Sequence, residues 1–173
     1  MPPVLKPQDI YAVVGLQVLL RRQPLVNLAQ LSAFLRLSGS ETHAAFGRLQ
    51  ASQLLAVATA EQRKPLESNF LEFAEHGLRY VYPPEYGPPA RGIATAAGAV
   101  TGLSVPGPPL VWPLESGEAF GPSLAPLYRS VPVACLSDAG LHGAMAALEC
   151  LRVGRPRERQ AGLTILCDLF GAA

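Results

Sequence analysis

Eleven of the 17 prolines and seven of the 16 glycines fall between residues 83 and 132. No long helix fits there, because proline has no amide to donate and its ring clashes with the preceding turn. The chain must therefore carry its helices on either side of an irregular, mostly extended middle. That middle also holds Trp112, Phe120, Leu124, Leu127 and Tyr128, which a solvated linker would not carry. It is expected to wrap on the rest of the protein.

The chain has 173 residues, of which 49% are hydrophobic and 16% charged. That apolar content, with low net charge, excludes disorder throughout. The length suits one domain, or one small domain plus an appendage. The net charge of +1 would argue against a nucleic-acid binder, but it is unevenly distributed. Residues 1–64 carry a net +4, residues 65–127 a net −4 and residues 128–173 a net +1. Such asymmetry is a hint of nucleic-acid contact. The three cysteines, Cys135, Cys150 and Cys167, form no C-x-x-C pair. Neither a disulfide framework nor a zinc ribbon is expected, and a reducing cytoplasm is the natural compartment. The start lacks a secretory signal. The longest apolar stretch, Ile10 to Leu20, is too short for a bilayer, which needs about 20 residues. A soluble cytoplasmic protein without membrane contact is expected.

The N-terminal third reads as helices. Pro7 suits a first helical position, and Ile10 to Leu20 is apolar nearly all round, so this helix should be buried. Arg21 and Arg22 end it, and Pro24 blocks continuation. Asn27 can cap a second helix with Leu28, Leu31 and Leu35 on one face. Ser38 can cap a third, with Glu41 completing a capping box and Ala45, Phe46 and Leu49 inward. Ala56 to Thr59 reads as a strand and Ala60 to Lys64 as a polar tip. Pro65 is expected to start a fourth helix that stops at Gly77, and Leu78 to Tyr82 is strand-like. Asp138 to Leu151 and Pro156 to Phe170 read as a helical hairpin.

Two short helices, a three-residue turn, a strand and a basic tip describe a helix-turn-helix with a wing: one helix enters the major groove and another holds it against the phosphates. The stretch NLAQLSAFLRLSGSETHAAFGRLQASQLL resembles the winged helix-turn-helix regulators of the MarR type. Leu28, Ala29, Leu31, Ser32, Leu35, Leu37, Ser38, Ser40, Phe46, Leu49, Leu54 and Leu55 stand at positions matching that pattern. The resemblance covers about 30 residues well, and nothing beyond residue 82 belongs to it. It implies a recognition helix from Gly39 to Gln53 whose Ser38, Ser40, Glu41, His43, Ala44, Gly47 and Arg48 face DNA. Ser40 and Thr42 could bond base edges or phosphates, Ala44 could meet a thymine methyl, and Arg48 could meet phosphate or guanine. Arg63 and Lys64 would be the wing tip. Arg36 stands where the family commonly has a glycine, and Ala44 and Gly47 stand where it often has basic or polar residues. The reading face is therefore small and poorly charged.

The fold class expected is mainly α with a small β wing. A winged helix-turn-helix spans residues 1–82, a Pro/Gly-rich extended region 83–132, and a C-terminal helical pair 133–173 for assembly or partner binding. His43, His76 and His142 show no metal-ligand spacing, so no metal or other cofactor is expected. No P-loop, dinucleotide fingerprint or nucleophile elbow is present, and Glu67, Glu72 and Glu75 read as a solvated helix face. No catalytic residue is assigned, and an enzyme is not expected. Arg152, Arg155, Arg157 and Arg159 cluster around the start of the last helix, where basic groups oppose the dipole, which leaves a solvated turn, a partner surface or a phosphate contact. Apolar strips on the C-terminal pair (Leu141, Met145, Leu148, Leu151; Leu163, Leu166, Phe170) must pack on the N-terminal body or on a second copy. The function expected is a homodimeric regulator, by the resemblance a repressor, that binds double-stranded DNA. The alternative is a winged-helix interaction module, such as an antitoxin or adaptor, that docks a protein partner through residues 83–173.

Overall fold

The computed structural model describes residues 3–59 and 62–171. Among them the chain is mainly helical, with two small sheets. Helix α1 (Pro7–Leu20) begins with Pro7 at its first position, and its last turn runs into Arg21. Every residue from Ile10 to Val18 is buried, so the helix has no solvent face. Helix α2 (Leu28–Leu35) starts at Asn27, whose side chain accepts from the Gln30 amide while the Gln30 side chain returns to the Asn27 amide. Helix α3 (Gly39–Ala51) starts at Ser38 with the expected Glu41 capping box. Strands β1 (Leu55–Val57) and β2 (Arg63–Pro65) pair antiparallel. Ala60 and Glu61, part of the expected tip, lie outside the described residues.

Three expectations for this region are corrected. Arg63 and Lys64 stand in β2, opposite Val57 and Ala56, and not at the tip. Pro65 ends that strand opposite Leu55. It costs no ladder bond there, because the next bond is made by the Leu66 amide to the Leu54 carbonyl. Helix α4 (Glu67–His76) follows with Gly77 at its C-cap, as the sequence suggested. Leu78 to Tyr82 is not a strand. It forms a short helix, α5 (Leu78–Val81), because the Val81 and Tyr82 amides bond back to the Gly77 and Leu78 carbonyls.

The Pro/Gly-rich middle is extended, as expected, but more regular than expected. Strand β3 (Tyr86–Ala94) pairs antiparallel with both β4 (Val111–Pro113) and β5 (Ala119–Leu124), which meet each other at Val111 and Ser123. Prolines survive in this sheet because Pro88 and Pro89 occupy the irregularity between Gly87 and Ala90, where a ladder amide is not required. Gly92 pairs with Pro113 on one side and Ala119 on the other, and a Cβ there would lie 2.0 Å from the Trp112 carbonyl oxygen. A 3-10 turn (Ala96–Ala99) leads out of β3.

Helix α6 (Val131–Ser137) straddles the expected boundary at residue 132. Asp138 then caps α7 (Ala139–Val153), and α8 (Pro156–Phe170) completes the expected hairpin. Every residue from Ala144 to Arg152 is buried. Helices α1 and α7 are thus the two interior helices of one continuous core, which also takes in Trp112, Phe70 and Phe170. The rings of Phe70 and Phe170 stack at 4.3 Å. Leu141, Met145, Leu148, Leu151, Leu166 and Phe170 are buried in this core, so the C-terminal strips pack on the N-terminal body. No helix among the described residues is long and apolar enough to cross a membrane.

Candidate nucleic-acid interface

The turn between α2 and α3 is set by Arg36, whose φ of 54° is left-handed. A non-glycine residue in that region costs roughly 1 kcal/mol. Its guanidinium reaches the Ser137 hydroxyl at 3.3 Å. Ser38 then stops α3 from extending backwards and satisfies the Glu41 amide, which a free helix start would leave unpaired.

Helix α3 has two distinct faces. Thr42, Ala45, Phe46 and Leu49 are buried, while Ser40, His43, Ala44, Gly47, Gln50 and Ala51 form an exposed stripe one turn apart. Among the residues expected to meet DNA, Ser38, Ser40, His43, Ala44 and Gly47 are exposed. Thr42 is corrected: it is fully buried, its hydroxyl donating to the Ser38 carbonyl at 3.0 Å and accepting from Ser32 at 2.8 Å. It ties α3 to α2.

Arg48 is corrected as well. Its Nε and Nη2 each donate to one oxygen of Asp9 at 2.7 Å, and Asp9 is completely buried on α1. The Lys6 amide gives the same carboxylate another bond at 2.8 Å. An unpaired carboxylate in that position would be costly, so Arg48 is committed to holding α3 against α1. Glu41 is half-buried and accepts from the Tyr128 hydroxyl, with the Ser38 amide and hydroxyl on its other oxygen. These bonds, Tyr128 foremost, pull its carboxyl down to about 2. It stays charged and serves the cap.

The cations nearest the exposed stripe come from other elements. Arg129 lies 3.8 Å from Glu41 with its side chain 82% exposed, and Arg36 is exposed at the turn. Arg63 stacks its guanidinium 5.1 Å over the Phe46 ring, and Lys64 is exposed on the opposite face of the hairpin. Sequence reasoning missed residues 128–137. Ser130 donates to the Leu35 carbonyl at 2.8 Å, so this distant segment braces the α2–α3 turn, and no local pattern announces it. The second basic cluster is also revised. Arg152 is buried against Glu149 at 2.6 Å, whereas Arg155 and Arg157 are exposed and Arg159 half-buried.

No protein-family model matches the chain, and neither a curated protein nor a solved structure matches it.

Proposed function

We propose that α2, α3 and the β1–β2 hairpin are a winged helix-turn-helix of the MarR type, and that the protein is a transcriptional regulator binding double-stranded DNA. The observation that carries this reading is the division of labour on α3. Residues that could compete for the groove, Thr42, Arg48 and Glu41, are spent on internal ties. The outer stripe is mostly small, with Ser40, Ala44, Gly47 and Ala51 beside His43 and Gln50, and it carries no Lys or Arg, while exposed cations stand on the neighbouring turn and hairpin. Small side chains permit close approach of a helix to base edges, and flanking Arg and Lys meet phosphates. Arg36, Arg63 and Arg129 flank the stripe and Lys64 stands on the other face of the hairpin, so one unit makes a modest electrostatic contribution. Useful affinity then calls for a homodimer with recognition helices about one DNA turn apart.

Fluorescence anisotropy with a random-sequence duplex over rising salt tests it. Affinity should fall steeply, with a slope of about 0.9 per phosphate neutralised. The double substitution Arg63→Ala and Lys64→Ala should weaken binding and flatten that slope by about 2. An unchanged slope would remove the hairpin from the interface. A monomer mass for the DNA complex would remove the two-half-site mechanism.

One observation favours a second reading. The α3 stripe carries no cation of its own, and Ala44, Gly47 and Ala51 would let a partner helix approach as closely as a groove. An interaction module, antitoxin or adaptor among them, is the reading that gains if no duplex binding is found.

A further inference from the structure

The exposed stripe of α3 offers few groups able to choose between bases. Arg48 is held by Asp9, and Thr42 is enclosed between Ser32 and Ser38. The Ser40 hydroxyl lies 3.1 Å from that of Ser38, and a serine hydroxyl, donor and acceptor at once, suits any base edge. Ala44, Gly47 and Ala51 bring no polar side-chain group. His43 and Gln50 remain, both exposed and both without a hydrogen bond or ion pair among the described residues. Gln50 stands about 10 Å further along the helix, at 1.5 Å per residue. A recognition helix meets base edges through its N-terminal residues, which selects His43, in the second turn of α3.

The surroundings of His43 suit such a contact. Imidazole is short, so its ring reaches a base edge only where the helix lies deep in the groove. Ala44 beside it and Gly47 one turn on permit that depth, and a Cβ at Gly47 would meet nothing within 4 Å. The flanking cations stand off α3: Arg36 rests on the Ser137 hydroxyl, Arg63 lies over the Phe46 ring and Arg129 stands beside Glu41. Such places suit phosphates, which fix register without reading sequence. In the major groove guanine presents two adjacent acceptors, N7 and O6. Adenine sets an amino donor beside its N7, cytosine offers an amino donor, and thymine carries a methyl group beside its acceptor. A ring N–H is best matched by guanine.

We infer that His43 is the specificity-determining residue of α3, and that its target is a duplex whose half-site carries one guanine read at its N7–O6 edge, with the other positions weakly chosen. This inference rests on the DNA-binding reading.

Selection from a randomised duplex pool, with the full chain and its His43→Ala and Gln50→Ala variants, tests it. The native protein and Gln50→Ala should enrich a site with guanine at one fixed position. His43→Ala should lose that enrichment yet keep its affinity for random duplex and its salt slope, because no phosphate contact is removed. Replacing the guanine by 7-deazaguanine, which lacks the N7 acceptor, should weaken native binding about fivefold and leave His43→Ala unchanged. Guanine enrichment that survives in His43→Ala, disappears in Gln50→Ala or is absent from the native selection would overturn the assignment. Indifference of the native protein to 7-deazaguanine would do the same, as would an equal loss of random-duplex affinity in His43→Ala. Absence of any duplex binding by the native protein would overturn the DNA reading itself, and this inference with it.

Discussion

Arg48 shows how a single side chain changes meaning between chain and fold. On a helix expected to read DNA, an arginine invites a phosphate. In the structure its Nε–Nη2 edge is claimed by Asp9, a carboxylate with no solvent exposure. Arg48→Ala should therefore lower stability by about 3 kcal/mol, the scale of breaking a buried pair, as read from urea denaturation. A loss well under 1 kcal/mol would mean that the tie is not holding α3. Glu41 gives the second residue-scale test. Tyr128 first, and Ser38 next, hold its carboxyl down to about 2. A depressed carboxylate contributes stability above its unfolded value and loses it as pH falls through the folded one. The gap in urea midpoint between the native protein and Glu41→Gln should be widest at neutral pH. It should close between about pH 4, the ordinary carboxylate range, and about pH 2. A gap independent of pH would assign the effect to packing alone.

At the scale of elements, the sequence was most legible where local chemistry is self-sufficient. Asn27 and Ser38 cap α2 and α3 because a side-chain oxygen needs only the amides of the next turn. Gly77 ends α4 and Asp138 caps α7 for equally local reasons. Two glycines test how far an element is governed by its neighbours. A Cβ at Gly47 meets nothing within 4 Å, whereas one at Gly162 would lie 2.5 Å from the Ala147 carbonyl oxygen and 2.7 Å from the Cys150 Cβ. Gly47→Ala should stabilise by about 1 kcal/mol through helix propensity. Gly162→Ala should destabilise by about 1–3 kcal/mol, because α7 and α8 would have to separate. Thermal melts of the two variants should move in opposite directions. Where an element depended on a distant partner, local pattern misled. Leu78 to Tyr82 has strand-like residues but no strand to pair with. Pro65 has a helix-starting residue type but a place opposite Leu55.

The whole molecule is organised around α1 and α7, which lie far apart in sequence and share one core. Gln17 on α1 donates to the Leu169 carbonyl at 2.9 Å, and Arg22 pairs with Asp138 at the start of α7 at 2.7 Å. The candidate interface is therefore not carried by a self-contained N-terminal unit. A fragment of residues 1–82 would expose the faces of α1 that α7 and α8 cover. It should show no cooperative thermal transition, while the full chain unfolds in a single one. A cooperative melt of the fragment would establish an independent N-terminal domain.

The sequence alone determined the helices whose signals are local: the all-round apolar α1, the two capping boxes with their turn, and the C-terminal pair. It also determined that residues 83–132 could hold no long helix, since proline's missing amide acts wherever it stands. Their ladder arose only in the fold, with β3 meeting two strands and Pro88 and Pro89 placed at its irregularity. Tertiary structure alone decided which charges are free. Asp9 claims Arg48 and Tyr128 claims Glu41 across 39 and 87 residues. Burial sets that outcome: a charge inside the core must find a partner, and which partner is near depends on how the helices pack.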